Sequence, residues 1–177
     1  QWPGVIQTES LDQDALQATV LESLKHALAD LVATREREGA ALEQMIIQRC
    51  EQINDIAEQT KTRLPEILAS HRQKLSDRIA ELEVNLEPER LEQEMVLLAQ
   101  KADVAEEIDR LQNHVNEVKH TLKRDEPIGR RLDFLMQELN REANTLGSKS
   151  IDTDTTRYSV DLKVLIEEMR EQIQNIE

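Results

Sequence analysis

The sequence predicts an all-α protein built from long antiparallel helical hairpins that pack as a coiled-coil-like bundle. The 177-residue chain holds one Trp, one Tyr and one Phe, so a core of bulky aromatic side chains is excluded. Charged residues make up 33% of the chain and apolar residues 38%, a balance typical of long amphipathic helices. Leucine, isoleucine and valine recur at spacings of three and four, which is the period of such helices.

Two helices are predicted in the first part of the chain. The first begins at Ser10, which forms a capping box with Gln13, and its apolar stripe extends to about Ala33. This stripe consists of Leu16, Val20, Leu24, Leu28 and Leu31. A charged junction, REREG at 35–39, leads into the second helix. The apolar face of the second helix consists of Leu42, Ile46, Cys50, Ile53 and Ala57.

Pro65 is expected to kink or end the second helix, because its ring removes a backbone donor and clashes with the preceding turn. The apolar pattern then resumes and runs to Leu82. The sequence NLEP at 85–88 is the clearest break in the chain. We therefore expect residues 1–87 to form a long helical hairpin arm with a kink near Pro65.

Residues 88–177 are predicted to form a C-terminal helical domain. Its first helix, 88–123, reads as one continuous helix of roughly 35 residues, about 50 Å long. The apolar seam of that helix consists of Val104, Ile108, Leu111, Val115, Val118 and Leu122. After the break RDEPIG, a further helix runs to Gly147, where we expect a left-handed cap. Asp152 or Thr153 is predicted to cap the last helix.

Composition also restricts compartment and partners. The chain has 36 Asp and Glu residues against 22 Lys and Arg residues, which gives a formal net charge of −14. This charge argues against non-specific binding to a polyanion but allows a local basic site. The single cysteine, Cys50, excludes an intrachain disulfide and fits a reducing compartment, where we expect a buried or half-buried structural thiol. No stretch reaches the roughly 18 apolar residues of a membrane span, and QWPGVIQ is no signal peptide. Because the sequence lacks an initiator methionine, we expect a piece of a longer protein.

Sequence motifs exclude several kinds of chemistry. The chain has no GxxxxGK[ST], GxGxxG, HExxH or GxSxG motif and no Cys/His zinc spacing, which leaves no basis for nucleotide-cofactor or serine-hydrolase activity. Recognition by base stacking is disfavoured because aromatic platforms are absent.

One constellation of polar residues remains within the predicted helix 88–123. Asp103, Glu107, Arg110 and His114 are spaced four, three and four apart, and Glu106 lies to one side. On a helix these residues share a stripe at the edge of the apolar seam. Such carboxylates hold Mg²⁺ or Mn²⁺, an arginine neutralises a phosphate, and a histidine moves a proton. The same spacing also places ordinary ion pairs along an exposed helix, and the stripe alone favours that structural interpretation.

The segment GRRLDFLMQELNREANTLGSKS at 129–150 has polar residues on two flanks and apolar residues on a third. One flank consists of Arg130, Asp133, Gln137, Asn140, Arg141 and Asn144, and the other of Arg131, Glu138 and Glu142. Asparagine is a poor helix former, so two of them within five residues indicate fixed hydrogen bonds. A structural polar network and a ligand site explain this pattern equally well.

Three segments closely resemble the C-terminal part of the YicC family. They are LEQEMVLLAQKADVAEEIDRLQNHV at 91–115, GRRLDFLMQELNREANTLGSKS at 129–150 and LKVLIEEMREQIQNIE at 162–177. WPG at 2–4 and REREGAAL at 35–42 are also similar to that family. The resemblance implies a bacterial cytoplasmic endoribonuclease that depends on Mn²⁺ or Mg²⁺, cleaves structured hairpin RNA and assembles as a ring-like oligomer, expected to be a hexamer. It also implies that the family's N-terminal domain is absent from this chain.

The resemblance further directs attention to side chains within the matching segments. The metal candidates are Asp103, Glu106, Glu107, Glu138 and Glu142. The catalytic candidates are Glu107, His114 and Glu138. The RNA-binding candidates are Arg110, Arg130, Arg131, Arg141, Asn144 and Lys149. The competing hypothesis is a non-catalytic helical RNA-clamping adaptor or oligomeric scaffold, in which the charged stripes serve as phosphate clamps and oligomer contacts.

Overall fold

The computed structural model describes residues 12–81, 88–101, 103–174 and 176. Within these residues it contains five helices and no strand: α1 Gln13–Glu81, α2 Pro88–Lys101, α3 Ala105–Thr121, α4 Gly129–Lys149 and α5 Thr153–Ile173. The all-α class is therefore confirmed, whereas the long antiparallel hairpins of a coiled-coil-like bundle stay a prediction. None of the described helices combines the length and apolar composition that a membrane crossing requires.

The chain divides into two compact units, of which the first ends at Leu42 and the second begins at Glu43. In the first unit, the side chain of Asp12 caps α1 by accepting hydrogen bonds from the amides of Asp14 and Ala15. The predicted cap at Ser10 lies outside the described residues. The predicted apolar stripe is present, but its residues are each more than half exposed: Leu16, Val20, Leu24, Leu28 and Leu31.

Helix α1 continues through both positions where the sequence suggested an interruption. Gly39 lies within α1, so the charged junction does not separate two helices. Pro65 also lies inside α1, although its ring removes the hydrogen bond to the carbonyl of Lys61. Tertiary packing keeps the helix intact, because Ile67 just beyond the proline is buried.

The core of the second unit lies among α1, α3, α4 and α5. The predicted apolar face of α1 supplies four fully buried residues, Ile46, Cys50, Ile53 and Ala57. Five of the six predicted seam residues are buried on α3 or at its start: Val104, Ile108, Leu111, Val115 and Val118. Burial of the Cys50 thiol raises its pKa to about 11, as expected for a structural thiol.

The predicted continuous helix 88–123 is wrong. Helix α2 begins at Pro88, as predicted, but ends at Lys101, and α3 starts at Ala105. The side chain of Asp103 accepts a hydrogen bond from the amide of Ala105 at 3.2 Å, and its carbonyl accepts one from the Lys149 ammonium at 2.7 Å. These contacts replace helical hydrogen bonds at Asp103, so the regular series of helical backbone hydrogen bonds ends there.

The predicted left-handed cap at Gly147 is also wrong, because α4 continues to Lys149. The glycine is needed for close packing instead, since a Cβ atom there would lie 2.4 Å from Oγ of Ser159 on α5. That hydroxyl donates a hydrogen bond to the carbonyl of Ala143 at 3.1 Å. Asp152 caps α5, as predicted, by accepting hydrogen bonds from the amides of Asp154 and Thr155.

Candidate metal centre between α3 and α4

A row of polar residues follows the contact between α3 and α4. Glu107 contacts Lys149 at 2.9 Å, and Glu117 contacts Arg131 at 2.9 Å. Because the later residue of α3 contacts the earlier residue of α4, the two helices run antiparallel. Their apolar faces enter the core, and the adjoining polar flanks therefore face each other along the edge of the contact.

Three side chains in this row form a group of potential metal ligands. His114 of α3 and Glu138 and Glu142 of α4 each offer a ligand atom, and these atoms all lie within 4.8 Å of one another. Residues four apart on a helix project from the same face, so α4 places its two carboxylates one turn apart. Glu142 is only 4% exposed, while His114 and Glu138 are half-buried. We name these three residues the α3–α4 cluster.

The α3–α4 cluster is poorly satisfied by the protein itself. Within the described part of the chain, none of its three side chains makes a hydrogen bond. The nearest cationic groups are Arg110, 3.9 Å from Glu142, and Arg141, 4.0 Å from Glu138. Two close carboxylates at low exposure repel each other and lose hydration, which a divalent cation with oxygen and imidazole ligands would offset. These residues therefore fit a divalent metal ion.

Glu107, predicted as both a catalytic residue and a metal ligand, lies elsewhere in the row. It is buried, and its Oε1 accepts a hydrogen bond from Lys149 at 2.9 Å, while its Oε2 is buried without a hydrogen-bond partner. Two helical turns, about 10 Å, separate it along α3 from His114. The structure therefore joins Glu107 to Lys149 and not to the α3–α4 cluster, and it places Lys149, predicted to bind RNA, in this pair.

The other two metal candidates also lie outside the cluster. Asp103 precedes α3, and its side chain accepts a hydrogen bond from the amide of Ala105, so it does not continue the predicted helical stripe. Glu106 is exposed and its Oε1 accepts a hydrogen bond from Arg110 at 2.5 Å. Of the five metal candidates, the structure brings together only Glu138 and Glu142, with His114 as the third group.

The RNA-binding candidates differ in whether their side chains are already bound to other residues of the protein. Arg130 is exposed and makes no ion pair with a described residue, and Arg141 is 71% exposed. Arg131 donates a hydrogen bond to Glu117, which lowers the pKa of that carboxyl group. Asn144 donates a hydrogen bond to Asn140, in agreement with the fixed hydrogen bonds expected for this pair. Among the RNA-binding candidates on α4, Arg130 and Arg141 are therefore the freest to meet a phosphate.

Glu117 is the residue of this row that the sequence reasoning missed. It follows His114 by three residues and so continues the spacing of four, three and four that begins at Asp103. One more step along the stripe would have identified it as the partner for a basic residue of α4.

Comparison with known families agrees with the resemblance found in the sequence. Residues 60–177 match the family described as "Endoribonuclease YicC-like, C-terminal". This chain belongs to the YicC-like endoribonuclease family. The sequence resemblance implied that the family's N-terminal domain is absent from this chain, but residues 1–44 match "Endoribonuclease YicC-like, N-terminal region", so the chain carries part of that region.

Two curated relatives of the YicC-like family match the whole chain. A protein of Haemophilus influenzae named "Probable endoribonuclease YicC" is 49% identical over 177 residues. A protein of Clostridioides difficile with the same name is 37% identical over 182 residues. In both comparisons the chain is covered completely and spans 62% of the relative's length.

Proposed function

We propose that this YicC-like chain belongs to an endoribonuclease that hydrolyses phosphodiester bonds of structured RNA at the α3–α4 cluster with a divalent metal ion. The observation that carries the proposal is the convergence of His114, Glu138 and Glu142 within 4.8 Å. The names of the relatives support the RNA substrate. The choice of Mn²⁺ or Mg²⁺ rests on a donor set of two carboxylates and one imidazole.

In the proposed mechanism, His114, Glu138 and Glu142 would each hold the metal ion through one ligand atom. When bound there, the ion would neutralise charge at the scissile phosphate and lower the pKa of water. Glu138 is half-buried, so its second carboxylate oxygen can accept the proton of the attacking water. The exposed Arg141, which lies beside Glu138, contacts a phosphate of the substrate, and Arg130 binds the backbone one or more nucleotides away.

The proposed substrate follows from what the surface offers. The chain has three aromatic residues, and Phe134 is the only one on α4, which leaves little for stacking on unpaired bases. Contacts to the backbone by arginine and asparagine favour recognition of RNA by shape, as in a hairpin. A homo-oligomeric ring, proposed to be a hexamer, would place several such surfaces around one RNA.

Cleavage of a labelled hairpin RNA tests this function. The full-length protein should cleave the RNA with Mn²⁺ or Mg²⁺ and lose activity with EDTA, and the Glu138→Gln, Glu142→Gln double variant of it should lower the rate by about 100-fold or more. Glu117→Gln is the matched control, because it removes the same charge from the same row outside the cluster. Retained cleavage in the double variant would contradict the site, and RNA binding without turnover in any metal would support the adaptor hypothesis.

A further inference from the structure

Arg110 is shared between two carboxylates that differ greatly in exposure. Its Nη2 donates a hydrogen bond to Oε1 of Glu106 at 2.5 Å, and its Nη1 lies 3.9 Å from Oε1 of Glu142. The Glu106 side chain is 71% exposed, whereas that of Glu142 is 5% exposed. The arginine therefore bonds the carboxylate in solvent and stays just beyond hydrogen-bond distance of the carboxylate in the α3–α4 cluster.

This placement has an electrostatic consequence for the cluster. A guanidinium group near Glu142 repels any divalent cation that the same carboxylate would hold. The cation would lie about 6 Å from the guanidinium, in surroundings with a dielectric constant between those of a protein surface and water. At that distance the repulsion raises the dissociation constant of the cation roughly ten- to hundredfold. Removing Arg110 would therefore tighten metal binding, even though it deletes a charged group at the edge of the site.

Glu106 has the opposite role in this arrangement. Because it accepts a charge-assisted hydrogen bond from the guanidinium, it restrains Arg110 from closing the remaining gap to Glu142. Without Glu106, the arginine is free to form a direct ion pair with Glu142 and so occupy a ligand atom of the cluster. Glu106 and Arg110 lie four residues apart on α3, an arrangement in which such pairs form readily.

We infer that Arg110 is a positioning residue that sets the metal affinity of the α3–α4 cluster, with Glu106 holding it away from Glu142. This inference rests on the proposed function, because it requires that the cluster bind a metal ion. It predicts that two neighbouring substitutions on the exposed side of α3 change metal affinity in opposite directions.

Titration of Mn²⁺ alone into the intact chain by calorimetry tests the inference. Arg110→Ala and Arg110→Gln should tighten Mn²⁺ binding about tenfold or more, and Glu106→Gln should weaken it several-fold. In the Arg110→Ala background, Glu106→Gln should change affinity by less than about threefold, because no arginine remains to be restrained. Thermal melting of each variant establishes that it is folded.

The matched control is the ion pair of the exposed Arg157 and the half-buried Asp161, which has the same spacing of four residues but lies on α5. Arg157→Ala and Asp161→Asn change the net charge in the same way and should leave the Mn²⁺ affinity within about twofold of the wild type. Unchanged or weaker binding by both Arg110 variants overturns the role of Arg110 and leaves the metal site standing. Absence of Mn²⁺ binding by the wild-type chain overturns both proposals.

Discussion

Replacing Glu142 by glutamine is predicted to stabilise the metal-free protein while abolishing its response to Mn²⁺. The ligand oxygens of Glu138 and Glu142 lie within 4.8 Å of each other, a separation at which two negative charges repel by a few kcal/mol at an effective dielectric constant near 20. Arg110 and Arg141, about 4 Å from these carboxylates, offset much of that repulsion. We therefore expect Glu142→Gln to raise the free energy of unfolding by about 0.5–1.5 kcal/mol.

The loss of the Arg110 contact does not reverse this expectation. The guanidinium is about half exposed and keeps its short hydrogen bond to Glu106, so the substitution leaves no buried unpaired cation. Removal of a charge that function requires is a common way to gain stability at the expense of activity. The stabilisation should therefore appear in the metal-free state.

Thermal unfolding followed by circular dichroism, with EDTA or with Mn²⁺, measures both effects. With EDTA, Glu142→Gln should melt about 1–5 °C above the wild type. At a Mn²⁺ concentration 100 times its dissociation constant, the wild type should gain about 2.7 kcal/mol and the variant should not respond. A variant that is less stable than the wild type with EDTA and still gains stability from Mn²⁺ would contradict this prediction, because Glu142 would then be a structural partner of Arg110.

Three further predictions concern the framework around the cluster. Gly147→Ala should lower the free energy of unfolding measured in urea titrations by about 1–2 kcal/mol, because a clash with Ser159 outweighs the better helix propensity of alanine. An increase in that free energy would contradict the close packing of α4 on α5. Cys50, fully buried with a pKa raised to about 11 by burial, should react with a thiol reagent only on unfolding, and rapid reaction of the native chain would show that α1 opens locally. Burial alone would raise the pKa of Asp152, but hydrogen bonds from the Thr155 hydroxyl and from the amides of Thr155 and Asp154 outweigh this effect and lower that pKa. The charged cap therefore stabilises the folded protein above pH 3.8, and this stabilisation is lost as the pH falls through the lowered pKa. Asp152→Ala should then cost about 1 kcal/mol near pH 7 and progressively less as the pH falls below 3.8, and a loss that does not depend on pH would contradict the charged cap.

Apolar spacing was sufficient to predict the helices that enter the core, as Ile46, Cys50, Ile53 and Ala57 show. It was not sufficient to predict the end of α2, because the seam residue Val104 keeps its spacing and its burial across the break. The break depends on a contact between Lys149 and the carbonyl of Asp103, 46 residues apart, which no local pattern contains.

In the candidate site, too, some features follow from the local sequence and others only from tertiary contacts. Residue types and the family resemblance predicted Glu138 and Glu142 as metal ligands and His114 as a catalytic residue. Their grouping depends on the register of α3 against α4, which places His114 beside Glu138 and Glu142 and places Glu107 beside Lys149. Spacing within one helix does not determine that register. Asp103, Glu106 and Glu107, which lie outside the cluster, were therefore predicted on the same grounds as the residues that form it.

The proposed function requires that a divalent metal ion bind between α3 and α4. A crystal structure of the chain with Mn²⁺, recorded at a wavelength where manganese scatters anomalously, would locate that ion. We predict an anomalous peak about 2.2 Å from one ligand atom each of His114, Glu138 and Glu142. A peak at Asp103, Glu106 or Glu107 instead, or no peak between the two helices at a saturating Mn²⁺ concentration, would contradict the claim.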